Sequence, residues 1–144
     1  MRADSRLSRV IHVLLHLSEL KEPITSEVIA KMLNTNSAVV RRTMSGLKKK
    51  GFVDSTKGHN GGWVLAKPLK EITLLGLYEA IDITRLFAID SGQSNSTCLV
   101  EKIANRSVEE AMDTAKNIFL KQLSDVNLHD LNEEFKKELA LVNP

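Results

Sequence analysis

Residues 37–66 read SAVVRRTMSGLKKKGFVDSTKGHNGGWVLA, and the fold follows from how this stretch is parsed. Val40, Met44 and Leu47 recur at helical spacing behind Asn36, a good N-cap, which predicts a helix from Ser37 to about Lys49. Ser37, Arg41, Arg42, Ser45 and Lys48 fall off that apolar stripe, so the outer face is polar and cationic. Gly51 stops the helix. Residues 52–56 and 63–65 then read as two short strands around Lys57-Gly58-His59-Asn60-Gly61-Gly62, a hairpin with a basic tip. Glycine there permits positive backbone torsions and close approach, while Lys57, His59 and Asn60 offer donors.

Working towards the N-terminus, Asn34-Thr35-Asn36 is a polar break. Before it a short helix is predicted, capped by Thr25, with Val28, Ile29, Met32 and Leu33 turned inward. A longer one carries Leu7, Val10, Ile11, Leu14, Leu15 and Leu17 and ends at Lys21-Glu22-Pro23. Two helices joined by a polar turn, the second cationic outside, match the helix-turn-helix geometry in which the second helix enters the major groove of duplex DNA. The expected fold class is mainly α: a winged helix-turn-helix from roughly Arg6 to Ala66 with a two-stranded wing, plus a C-terminal dimerisation helix region. Ser37, Arg41 and Arg42 are placed to meet base edges, and Ser45 and Lys48 to Lys50 to meet phosphates. The wing suits phosphates or the adjacent minor groove.

Charge supports this reading. The chain has 144 residues and a net charge of +2, but residues 1–70 hold 13 Lys and Arg against 5 Asp and Glu, a balance of +8. Residues 71–144 hold 7 against 13, a balance of −6. A basic half beside an acidic half suggests that the first faces a polyanion and the second faces protein. We therefore divide the chain into a DNA-binding part, 1–70, and a part carrying a connector helix, a signal loop and dimerisation helices, 71–144. With 42% hydrophobic and 26% charged residues the composition is ordinary for a globular protein. No apolar run reaches the length of a membrane span and no secretory h-region opens the chain, so no membrane partner and a cytoplasmic location are expected. Phosphate-loop, nucleophile-elbow and zinc-protease motifs are missing from the sequence, so an enzyme is not expected.

In the second half, Leu74, Leu77, Tyr78 and Ile81 form the stripe of a helix opened by Ile72 or Thr73. A small-polar loop over 91–97 follows, then Cys98, the single cysteine. Ser107-Val108-Glu109-Glu110 has capping-box spacing, which predicts a long helix starting near Val108 with Met112, Ala115, Phe119 and Leu123 along one face. That face suits pairing with a second copy. Asn127 caps a last helix with Leu128, Leu131, Phe135 and Leu139, which either closes the dimer or wraps back on the first helix.

Val39-Val40-Arg41-Arg42, Leu47 to Val53 and the glycine-rich Lys57 to Ala66 resemble the bacterial Rrf2 family of transcriptional regulators. The resemblance continues through Pro68, Ile72-Thr73-Leu74 and Leu77 to Ile81, similar to that family's connector helix, and the later long helix looks like its dimerisation helix. It implies a homodimeric regulator, usually a repressor, binding an imperfect palindrome with an affinity set by a chemical signal. Iron–sulfur members of the family carry three cysteines where this chain has Cys98 alone, so no cluster and no cofactor are expected.

Cys98 then reads either as a one-thiol switch, placed by Ser96 or Thr97 at a helix N-terminus that favours the thiolate, or as a small buried hydrophobe. Two alternatives stand beside the thiol-controlled repressor: the same DNA binding under control of a small-molecule ligand, with Cys98 inert, and a winged protein-interaction adaptor that binds no DNA. His12 and His16, four apart on the first helix, have the spacing of a metal chelate but no third ligand nearby, and read as packing residues rather than a metal site.

Overall fold

The computed structural model describes residues 4–59, 61–83, 85–89 and 97–143. The chain runs through α1 (Arg6–Glu19), α2 (Ser26–Leu33), α3 (Ser37–Lys49), β1 (Val53–Thr56), β2 (Gly62–Leu65), a 3-10 turn (Leu69–Glu71), α4 (Leu74–Ala80), α5 (Leu99–Ser124) and α6 (Leu128–Val142). It is the mainly helical fold with a two-stranded wing that the sequence predicts.

Local chemistry sets most helix starts. Thr25, Asn36, Thr73 and Asn127 each accept a hydrogen bond from the backbone N–H three residues on, satisfying a donor the helix cannot. α3 stops at Gly51, whose φ of +84° is left-handed, with Gly51 N–H bonded to Lys48 O and Phe52 N–H to Leu47 O. α5 departs from expectation. It begins at Leu99, not near Val108, so Ser107 and Glu110 lie inside a running helix and the capping box caps nothing. Val28 also departs: Ser26, Ile29, Ala30 and Leu33 occupy the inner face of α2, and Val28, off that stripe, is 47% exposed.

The wing is antiparallel, with Val53 opposite Leu65 and Thr56 opposite Gly62. Its inner edge pairs with the segment before α2: Trp63 N–H donates to Ile24 O at 2.8 Å and Ile24 N–H to Trp63 O at 3.1 Å. Approach is so close that a Cβ on Gly62 would sit 2.6 Å from the Ile24 backbone, which requires glycine there. Trp63 Nε1 donates to the buried Ser26 Oγ at 2.9 Å, fixing the wing against α2.

One apolar core links both halves of the chain. Val10, Val13, Leu14 and Leu17 of α1, Ile29 of α2 and Val40, Met44 and Leu47 of α3 share it with Ile72, Leu77 and Leu128. Leu74 N–H to Val126 O and Leu128 N–H to Ile72 O, at 3.0 and 2.9 Å, tie the α5–α6 turn to the entry of α4. α6 wraps back on α1, where Asn132 Nδ2 donates to Glu19 Oε1 at 2.9 Å. Leu128 and Leu131 face inward, whereas Phe135 and Leu139 are exposed.

His12 and His16 form a pair on α1, with Nε2 atoms 2.9 Å apart. One ring must donate and the other accept, so at least one imidazole is neutral. Burial, and after it the neighbouring His12, holds the His16 pKa below its ordinary 6.5. A lowered folded-state value means this contribution to stability is present above the unfolded-state pKa and is lost as pH falls through the folded one. In urea midpoints measured on either side of the ordinary histidine value, His16→Gln is therefore expected to flatten the acid-side decline.

Candidate nucleic-acid interface

α3 presents the predicted side chains on its open side. Ser37 is half-buried, while Arg41, Arg42, Ser45 and Lys48 are exposed. Arg41 is already engaged: Nη2 donates to Ser37 Oγ at 3.1 Å and Nη1 to Glu27 Oε1 of α2 at 3.1 Å. Lys48 reaches the wing, with Nζ donating to Ser55 Oγ at 2.7 Å and lying 3.7 Å from Asp54 Oδ1. One cation thereby bridges α3 and the hairpin. At the tip Lys57 and His59 are exposed, and Asn60 lies outside the described residues. Thr56 Oγ1 accepts from Gly62 N–H at 3.1 Å and Gly61 N–H donates to Gly58 O at 3.1 Å, which closes the turn.

Glu27 escapes a sequence reading because it sits on the other helix, fourteen residues from its partner. It supplies a carboxylate that already holds the Arg41 guanidinium. Both side chains are more than half exposed, so the pair adds little stability. Glu27→Gln is expected to leave thermal stability nearly unchanged and to raise DNA affinity by about two- to fivefold, the scale of one exposed ion pair. Titration of a labelled duplex by fluorescence anisotropy measures it.

The residues assigned to signalling and pairing lie on α5. Cys98 is its N-cap and is exposed within the single chain, not packed in that chain's core. The Cys98 side chain itself makes no cap hydrogen bond; of the two cap candidates Thr97 is exposed, and Ser96, with most of the polar loop, lies outside the described residues. Met112 is half-buried and Ala115 exposed. Phe119 meets Tyr78 edge-on at 5.8 Å between ring centroids, and Leu123 is buried within its own chain. The large apolar side chains of α5 left open are Leu99, Val100, Ile103, Val108 and Ile118.

Among the described residues no helix is long and apolar enough to cross a membrane, and no three His, Cys, Asp or Glu side chains are grouped to hold a metal ion.

Comparison with known proteins places this geometry. The family described as Rrf2, iron-dependent transcriptional regulator, matches residues 3–134. The HTH-type protein YwnA of Bacillus subtilis (strain 168) is 34% identical over 129 residues, covering 89% of this chain and 95% of YwnA. The HTH-type transcriptional regulator IscR of Pectobacterium atrosepticum is 26% identical over 121 residues, covering 81% of this chain and 73% of its own. In fold, the chain superposes on T. potens IscR with a TM-score of 0.71 over 96% of this chain and 90% of the other, at 14% identity.

The iron in the family description does not fit the donor set here. A cluster bound through protein thiolates needs several, and this chain has one cysteine. The two paired histidines lie on α1 and bond each other. With a family match over nearly its whole length and a helix-turn-helix with its wing in place, the chain belongs to the Rrf2 family of DNA-binding transcriptional regulators, not to the enzymes.

Proposed function

We propose that the protein is a homodimeric repressor that binds an imperfect palindrome, with α3 in the major groove of each half-site and the wing beside it. Ser37, Arg41 and Arg42 read base edges; Ser45 and Lys48 hold phosphates; Lys57, His59 and Asn60 reach the backbone or the next minor groove. Residues 1–70 form the DNA-binding part and 71–144 the pairing and signalling part. What carries this reading is the shared cationic face of α3 and wing, which Lys48 bridges through Ser55 and Asp54 while its side chain stays half-exposed.

Pairing has its own support. α5 has 26 residues and buries only Leu123 within the chain, while Leu99, Val100 and Ile103 stand more than half exposed. A helix that open gains burial from a second copy, and a two-fold pair can set two reading helices about 34 Å apart. The chain's own upstream region is the first target to test. A duplex from it is expected to show protection over two half-sites and a log–log salt slope near −5, about six phosphates per dimer. Salt-insensitive binding, or a monomer at micromolar concentration, would count against the proposal.

Control by the thiol rests on the exposure of Cys98 at the head of that same helix. A peroxide oxidises the thiolate to a sulfenic acid, which a second thiol converts to a disulfide with loss of water. Either product changes the entry to α5 and so the spacing of the two reading helices. Oxidant is expected to weaken DNA binding of the wild type, and Cys98→Ser to abolish that response. An unchanged response in the variant would point to a small-molecule signal instead.

A further inference from the structure

We infer that the cleft between α1 and α3 is a binding site for a small amphipathic carboxylic acid, and that its occupation withdraws Arg42 from DNA. The cleft has a volume of about 340 Å³ and lies between α1, α2, α3 and the end of α4. That is enough for a compact metabolite. Its floor is apolar, with Val13, Ile29, Leu33 and Met44, and its rim carries Arg9 of α1 and Arg42 of α3.

Charge selects the ligand. A third arginine at the rim, Arg6, is neutralised, donating to Asp4 Oδ2 at 2.7 Å and to Ile81 O at 3.0 Å, and it is the arginine facing Asp82, the carboxylate that also lines the cleft. Arg9 and Arg42 have no such acid: among the described residues neither makes an ion pair or a side-chain hydrogen bond. Two unmatched guanidinium groups above an apolar floor fit an anionic head on a hydrocarbon body.

Gly46 supplies an independent observation. It lies inside α3, where glycine costs roughly 1 kcal/mol against alanine. Among the described residues nothing demands that cost, since a Cβ at Gly46 would find no atom within 4 Å. Gly46 lines the cleft and lies off the Ser37, Arg41, Ser45 face, so its missing side chain leaves room in the cleft. A helix-weakening residue at the edge of an open cleft, one turn from Arg42, fits a cleft that holds a ligand.

The site is independent of the DNA reading; the coupling rests on Arg42 contacting DNA, as proposed above. The test titrates the full-length protein with sodium hexanoate, and with hexanamide as the uncharged isostere, following backbone amides by NMR. Saturable shifts at Val13, Met44 and Gly46 with hexanoate, and at least about tenfold weaker binding of hexanamide, are expected from the charge-assisted bonds to Arg9 and Arg42. Arg9→Gln should weaken hexanoate by a similar factor. Gly46→Leu, which fills the cleft, should abolish its binding, with Gly46→Ala as a milder filling variant whose dispersed spectrum reports an intact fold.

In a parallel anisotropy assay, hexanoate should weaken DNA binding of the wild type but not of Gly46→Leu. Equal binding of the amide, shifts that do not saturate, or cleft amides already protected by the second copy overturn the site. Saturable cleft binding with no effect on bound DNA overturns the coupling alone. Cleft binding in a protein that binds no DNA overturns the proposed function and leaves the site standing.

Discussion

Alanine at both Arg41 and Arg42 is expected to lower affinity for the cognate duplex by about 10²- to 10³-fold, because each bidentate contact to a base edge discriminates by about 1–3 kcal/mol. The fall for Arg41 is the smaller of the two. In the free chain its guanidinium bonds Glu27 and Ser37 at 3.1 Å each, so DNA replaces existing bonds instead of adding new ones. Arg42 has no such competitor among the described residues, and its whole contact appears as affinity. Both side chains are exposed, so the melting temperature should move little. Competition with unrelated duplex separates base reading from phosphate holding. Base readers lose cognate binding and keep most non-specific binding, whereas phosphate contacts such as Lys57 lower both together and flatten the salt slope by about one each. If cognate and non-specific binding fell equally in the double variant, Arg41 and Arg42 would be phosphate ligands.

Features set within four residues of chain were legible in the sequence. Thr25, Asn36, Thr73 and Asn127 cap helices because an oxygen reaches the N–H three residues on, a contact any four-residue window contains. The end of α3 at Gly51 and the turn of the wing are equally local. The Ser107–Glu110 spacing misled for the same reason, since a four-residue pattern cannot register that the chain is already helical from Leu99. Contacts between distant segments were far less legible. Nothing near Glu27 announces Arg41 and nothing near Ile24 announces Trp63, and the return of α6 to α1 was one of two placements its apolar stripe left open, since the choice depends on how the whole core closes. The cleft beside Gly46 is of this second kind: glycine inside a helix is visible in the sequence, but the empty space it borders requires α1 and α4 to be in position.

Leu128→Ala is expected to destabilise the protein by about 2–5 kcal/mol, the range for removing a fully buried leucine side chain whose cavity only partly collapses. Leu128 is 0% exposed and belongs to the core that α1, α2 and α3 share with Ile72 and Leu77. Its backbone is held as well, through the bond to Ile72 O at 2.9 Å and the bridge between Thr73 and Asn127. Against the 5–15 kcal/mol that keeps a typical domain folded, a loss of that size shifts the denaturant midpoint visibly. The site of the reporter makes the result informative. Trp63 is the single tryptophan; it sits in the wing and donates to Ser26 Oγ, far along the chain from the substitution. If the core is continuous, Trp63 fluorescence and helical circular dichroism should move together to a lower urea midpoint. Were the wing domain to fold independently of α6, the tryptophan transition would stay where it is in the wild type while part of the helical signal moved alone. A joint shift would mean that the start of α6 and the wing unfold as one cooperative unit, the continuity that the proposed signal on α5 requires.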